Sequence, residues 1–183
     1  MLYNITSPID AEVMEKLTAG TKVLISGVIY TARDAAHKRL IQALDRGDEL
    51  PFDLNGQTLY YMGPSPARPG QVIGAAGPTT SSRMDIYTPR LIAAGIRAMI
   101  GKGSRSEEVR EAIKEHKAIY FATIAGAGAL LAKSIKKVDV IAYEDFGPEA
   151  IRRLNVENLP AIVASDIHGG DIYELGRARY QSK

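Results

Sequence analysis

Short apolar runs alternate with stretches of helical spacing along almost the whole chain, and this alternation restricts the fold more than any other feature of the sequence. Segments such as Val23-Leu24-Ile25 and Ile96-Arg97-Ala98-Met99-Ile100 read as buried strands. The pattern predicts strands at 22–29, 57–62, 71–76, 96–100, 118–124, 137–143 and 160–165, and helices at 32–46, 81–94, 104–116, 127–135 and 147–154. Strands separated by helices predict an α/β domain with a mixed sheet and flanking helices. A chain of 183 residues, 45% of them hydrophobic, buries one sizeable core. We therefore expect one domain over 1–183, with an N-terminal helical extension at 1–20 and a loose basic tail at 176–183. The extension carries a short amphipathic helix at 9–18 opened by Asp10, and the Pro- and Gly-rich stretch from Met62 to Gly70 is a surface loop.

Several function classes are excluded or weakened early. A formal charge of +2, with both signs mixed along the chain, gives little support to nucleic-acid binding. Apolar runs such as Ala125 to Ala132 fall far short of the ~20 residues that span a bilayer, so no membrane role is expected and the cytoplasm is the expected compartment. The chain has no cysteine, which removes disulfides, thiolate nucleophiles and thiolate metal sites. His37, His116 and His168 are too scattered to form a metal-ligand motif, so no metal is expected on this chain alone. Gly126-Ala127-Gly128 starts a dinucleotide fingerprint but Leu131 breaks it, and Gly101-Lys102-Gly103 lacks the remainder of a P-loop. No serine sits in a nucleophile elbow.

What remains is a set of anion-binding signals. In Gly74-Ala75-Ala76-Gly77-Pro78-Thr79-Thr80-Ser81-Ser82-Arg83-Met84-Asp85, four hydroxyls and an arginine stand where a strand is expected to hand over to a helix. N-capping needs one hydroxyl, not four. Arg83 placed near a helix start calls for a negative partner, and Asp85 is expected to serve Arg83 or the helix start rather than to act as a catalytic acid. After the strand ending at Tyr30, Thr31 is the expected N-cap, with Asp34 at the third helical position, which puts Arg33 in the first turn and His37 on the same face four residues on. Lys102 precedes a third helix, for which Ser104 and Glu107 form a capping box. Ligands of open α/β sheets bind at the carboxyl ends of strands, so Arg33, Arg83 and Lys102 are expected to converge there.

Together, Thr31-Ala32-Arg33-Asp34-Ala35-Ala36-His37-Lys38-Arg39, Tyr61-Met62-Gly63-Pro64, Gly77-Pro78-Thr79-Thr80-Ser81-Ser82-Arg83-Met84 and Gly101-Lys102-Gly103 resemble the C-terminal domain, or separate β subunit, of iron–sulfur (class I) fumarate hydratases and the related L(+)-tartrate dehydratases. The likeness runs from about Pro8 to Leu175 and extends through Ala125-Gly126-Ala127-Gly128-Ala129, Tyr143 to Ile151 and Val163 to Gly170. It implies a swivelling β/β/α domain that works with a cysteine-bearing α subunit, in an α2β2 assembly. The α subunit would hold a [4Fe–4S] cluster that this chain cannot hold. The implied reaction is reversible hydration of fumarate to L-malate, or in the tartrate branch loss of water from L-tartrate to give oxaloacetate. Arg33, Arg83 and Lys102 match positions that contact the dicarboxylate, Thr79 matches the threonine proposed as base, Thr80 lies in the same pocket, and His37 and Asp85 are supporting residues.

Blander readings stand beside these. Arg33 can pair with Asp34, Lys102 can be an ordinary loop lysine, and His37 can simply pack. A dicarboxylate-binding domain without catalysis is the competing hypothesis from another class.

Overall fold

Apolar side chains on both faces of a strand require cover on both sides, and the computed structural model, which describes residues 2–124 and 126–181, meets that demand with one sheet between two cores. Its elements are β1 (Leu2–Ser7), α1 (Ala11–Met14), β2 (Lys22–Thr31), α2 (Asp34–Arg46), β3 (Thr58–Tyr60), a 3-10 turn (Ser81–Met84), α3 (Thr88–Ala93), β4 (Ala98–Gly101), α4 (Glu107–Glu115), β5 (Ile119–Ala122), α5 (Gly128–Ala132), β6 (Ile135–Ala142), a second 3-10 segment (Glu144–Glu149), β7 (Ile151–Ser165) and α6 (Ile172–Tyr180). Successive residues of β3, β4 and β5 alternate between the cores. Tyr60, Ala98, Ile100, Ile119 and Phe121 enter one, while Leu59, Met99 and Tyr120 enter the other with Leu40, Met84, Leu91 and Val109 from the helical side.

The sheet has seven strands in the order β1-β2-β3-β4-β5-β7-β6, with a further pairing between β2 and β7. Strands β1 to β5 pair in parallel, and β7 runs antiparallel to β2, β5 and β6. Because β7 meets β5 through Ile162–Ser165 and β2 through Arg152–Ile162, the pairings close a circuit through β2, β3, β4, β5 and β7. The carboxyl ends of β2, β3 and β4 are thereby fixed side by side. No helix among the described residues is long and apolar enough to cross a membrane.

The α/β class and the mixed sheet agree with the sequence reading, but several boundaries do not. Residues 71–76 form no strand: Val72 is exposed, and the stretch is a loop held by Tyr60 Oη, which donates to Ala76 O at 2.5 Å. The helix expected at 147–154 is instead the end of a 3-10 segment and the start of β7, because Ile151 and Leu154 mimic helical spacing while lying in a strand. Within the expected helical extension only Ala11–Met14 is helical, and Leu2–Ser7 is a strand beside β2. The basic tail continues α6 as far as Tyr180; Ser182 and Lys183, like Ala125 in the glycine-rich stretch, lie outside the described residues. Thr31 ends β2 rather than capping α2, whose N-cap is Arg33. Helix α4 is capped by Ser106, which accepts from Val109 N, and not by Ser104. The single helix expected at 81–94 divides into a 3-10 turn and α3, with Pro89 in the first turn of α3.

Candidate functional site

Three chain segments reach the site from adjacent strand ends. After β3 the chain runs through Tyr61 and Gly63, after β4 through Lys102, and after β2 through Arg33. The hydroxyl-rich segment is threaded beside them by its backbone: Thr79 N donates to Tyr61 O at 2.7 Å, Thr80 and Lys102 form a parallel bridge, and Ser81 N donates to Lys102 O at 2.9 Å. These contacts fix the positions of Thr79, Thr80 and Lys102 through main chain. Ser81 adds the anchor below them. Its Oγ accepts from Lys102 N at 3.1 Å and bonds Tyr120 Oη at 2.9 Å, and Tyr120 Oη donates to Gly103 O at 2.8 Å. A side chain at Gly101 would overlap this anchor, since its Cβ would lie 1.9 Å from Ser81 Oγ.

Arg33 sits at the N-cap of α2 and is mostly buried. Its guanidinium lies over Gly63, where an added Cβ would stand 2.5 Å from Nη1 and 3.1 Å from Pro148 O. The Nη2 atom is 3.6 Å from Glu149 Oε1, Nε is 4.0 Å from Asp34 Oδ2, and the buried Nε has no hydrogen-bond partner. Arg83 does have the negative partner its position demanded, and the partner is Asp34. Arg83 Nε donates to Asp34 Oδ1 at 2.9 Å and Nη2 donates to the other carboxylate oxygen. Arg33 and Arg83 therefore meet across Asp34, with acids interleaved in the order Glu149, Arg33, Asp34, Arg83, while Lys102 is tied to Thr80 and Ser81 through its main chain.

Asp85 does not pair with Arg83. It accepts from Arg105 Nε at 2.7 Å and from Ser106 N at 2.7 Å, on the inner side of the loop. Sequence reasoning missed Arg105, whose side chain is fully buried. It bonds Thr88 Oγ1 at 2.8 Å and lies over the rings of Tyr61 and Tyr120 at 5.2 and 4.9 Å. Burial pulls the Arg105 pKa down, but the phenolic oxygens of Tyr61 and Tyr120 and the Asp85 carboxylate outweigh it and hold the group above its ordinary value. Glu149 was missed as well; its Oε2 accepts from Ala35 N at 2.8 Å across 114 positions of sequence.

His37 is fully buried beside these groups. Its Nδ1 faces Arg33 O at 2.9 Å, so Nδ1 carries the proton and donates, while Nε2 has no partner. The ring meets Tyr61 edge to face with centroids 5.2 Å apart. Burial lowers its pKa from 6.5 to about 4, the Arg33 carbonyl working in the opposite direction, so the ring is neutral near pH 7. His37 thus supports the N-terminus of α2 and does not face the ligand side as a charge.

Comparison with known proteins identifies the family. The model for the fumarase C-terminus covers residues 3–176 of the chain. The chain belongs to the fumarase C-terminus family. A protein of Methanocaldococcus jannaschii, provisionally named L(+)-tartrate dehydratase subunit beta, is 40% identical over 167 residues, covering 88% of this chain and 86% of that protein. A Geobacillus stearothermophilus protein provisionally named a class I fumarate hydratase is 38% identical over 178 residues, covering 94% of this chain and 34% of that protein. The aerobic class I fumarate hydratase of Salmonella typhimurium is 36% identical over 169 residues, covering 90% of this chain and 29% of that enzyme. The chain spans about three-tenths of the length of the fumarate hydratases it matches.

In this member of the fumarase C-terminus family the donor set does not suit an iron–sulfur cluster. Cysteine is absent from the sequence, His37 Nδ1 is committed to Arg33 O, and the described residues include no group of three or more His, Cys, Asp or Glu placed to hold a metal. What this end of the sheet presents is two guanidinium groups joined through Asp34, beside the main-chain pairing of Thr80 with Lys102.

Proposed function

We propose that this chain is the β subunit of a hydro-lyase that reversibly hydrates fumarate to L-malate, its pocket completed by a cysteine-bearing α subunit in an α2β2 assembly. What supports the proposal is the link between Arg33 and Arg83 through Asp34, together with the main-chain pairing of Thr79 with Tyr61 and of Thr80 with Lys102, at the carboxyl ends of β2, β3 and β4. Arg33, whose buried Nε has no hydrogen-bond partner, grips one substrate carboxylate; Arg83 and Lys102 receive the other end. Neutralising a carboxylate makes the adjacent C–H more acidic, because the charge that develops on proton removal spreads onto a paired group. Thr79 then exchanges the carbon-bound proton, with Thr80 beside it in the pocket, and the cations nearby favour its anionic form. Any iron–sulfur cluster belongs to the α subunit, since the residues here do not fit one. His37 and Asp85 serve by holding the α2 N-terminus and Arg105.

The reading takes residues 1–183 as one swivelling β/β/α domain acting in the cytoplasm, supported by the single sheet whose faces carry both cores. The relative whose length the chain nearly covers is itself named a β subunit, which supports the two-subunit arrangement and makes L-tartrate the second substrate to test. Anaerobic turnover of fumarate and of L-tartrate is measured with this chain mixed with its cluster-loaded partner, and with each half alone. Activity in the mixture only is expected. Inactivity of an intact, cluster-loaded complex on both substrates rejects the hydro-lyase reading and leaves a non-catalytic dicarboxylate-binding domain.

A further inference from the structure

The segment from Tyr143 to Ala150, far from Arg33 in sequence, is bound onto the start of α2 more firmly than a connecting loop requires. Arg39 of α2 makes two hydrogen bonds to Asp145 at 2.9 and 2.8 Å and lies 3.8 Å from the centre of the Phe146 ring. Arg152 ties the turn from the other side, donating to the carbonyls of Gly147, Pro148 and Ala150 at 2.8, 3.0 and 3.0 Å. At the Arg152 end of this segment the Glu149 carboxylate faces Arg33, whose guanidinium lies against Gly63. One oxygen of Glu149 accepts the Ala35 N–H while the other faces Arg33 Nη2.

We infer that Glu149 is a positioning residue for Arg33, setting the rotation of its guanidinium against Gly63 so that the remaining donors face a substrate carboxylate. The inference deepens the hydro-lyase reading and rests on it. Two effects of the acid compete: it orients the guanidinium and it partly cancels its charge. Orientation wins, because a bidentate grip on a carboxylate depends on the plane of the fork. Cancellation by a partly solvated carboxylate is screened, and Asp34 remains beside Arg33 in either case.

Glu149→Gln separates this role from a purely structural one. The glutamine carbonyl still accepts the Ala35 N–H, so α2 stays capped, while the charge facing Arg33 is gone. In the anaerobic complex, KM for the dicarboxylate is expected to rise about tenfold with kcat changed much less, since the lost contact acts on ground state and transition state alike. Glu149→Asp, which keeps the charge but is one methylene shorter, is expected to recover part of the loss. Asp145→Asn loosens the same segment without touching Arg33 and is expected to lower the melting temperature with KM unchanged. A KM for Glu149→Gln that stays at the wild-type value or falls overturns the inference, as does an equal rise in Asp145→Asn. A wild-type complex inactive on both substrates rejects the hydro-lyase reading, and the Glu149 role falls with it.

Discussion

Individual atoms decide whether this site works, and Gly63 is the plainest case. A methyl group there would lie 2.5 Å from Arg33 Nη1, so Gly63→Ala is expected to displace the guanidinium and lower kcat/KM on the dicarboxylate by about tenfold or more while circular dichroism stays unchanged. His37 supplies a second test at this scale. Its pKa is depressed from 6.5 to about 4 in the folded chain, so the unfolded chain binds the extra proton first as pH falls. Stability from this residue is full above about pH 6.5 and declines as the pH drops toward 4, by on the order of 3 kcal/mol in all. Urea unfolding at pH 7.5 and pH 5 is expected to show about 2 kcal/mol of that loss in the wild type and a smaller one in His37→Gln, whose amide still donates to Arg33 O. Arg33, Thr79, Thr80, Arg83 and Lys102 stood out as candidates in the sequence because cations and hydroxyls recur at its strand-to-helix junctions, but the carboxylate that joins Arg33 to Arg83, Asp34, was read there only as a helix-start residue. Arg105 was not legible. A charged residue is read as solvent-facing unless its burial partners are known, and Tyr61, Thr88 and Tyr120 come from three separate segments.

At the level of elements, the loops after β3 and β4 depend on Arg105 as a buried strut. It links Asp85 in the loop after the 3-10 turn, Thr88 in α3 and the rings of Tyr61 and Tyr120. Replacing it with methionine leaves the Asp85 carboxylate without its cation in a nearly buried setting, and a loss of roughly 3 kcal/mol or more in urea unfolding is expected. Which elements the sequence revealed follows from how their residues are buried. Strands β4 and β5, apolar on both faces, were found to within two residues at each end. Strand β1 escaped notice because Ile5 is its only buried apolar residue and Asn4, Thr6 and Ser7 give no pattern. The start of β7 was taken for a helix because its buried residues, Ile151, Leu154 and Val156, do not alternate strictly where it also pairs with β6 across register shifts. Residues 71–76 misled in the opposite sense: an apolar pair suggested a strand, but the chain there is held by a tyrosine hydroxyl and a glycine carbonyl rather than by a ladder.

For the molecule as a whole, the closed circuit of strands sets the order of stability. Strand β7 pairs with β2 along most of its length, and amide hydrogen exchange is expected to be slowest in β2 and β7 and fastest in the loop from Met62 to Gly70. A fragment ending at Ala150 lacks β7 and leaves β2, β5 and β6 without their antiparallel partner. It is expected to show no cooperative unfolding transition by calorimetry. The α/β class could be read from alternation alone, but the closure could not, because it depends on one late strand pairing with three others. The same late strand also has a temporal meaning. A ribosome must release β7 before β2 gains its antiparallel neighbour, and the segment before β7 before Glu149 arrives opposite Arg33. Until then the nascent chain carries an open strand edge along β2 and an Arg33 without Glu149 opposite it, so a stalled translation product would be exposed to aggregation.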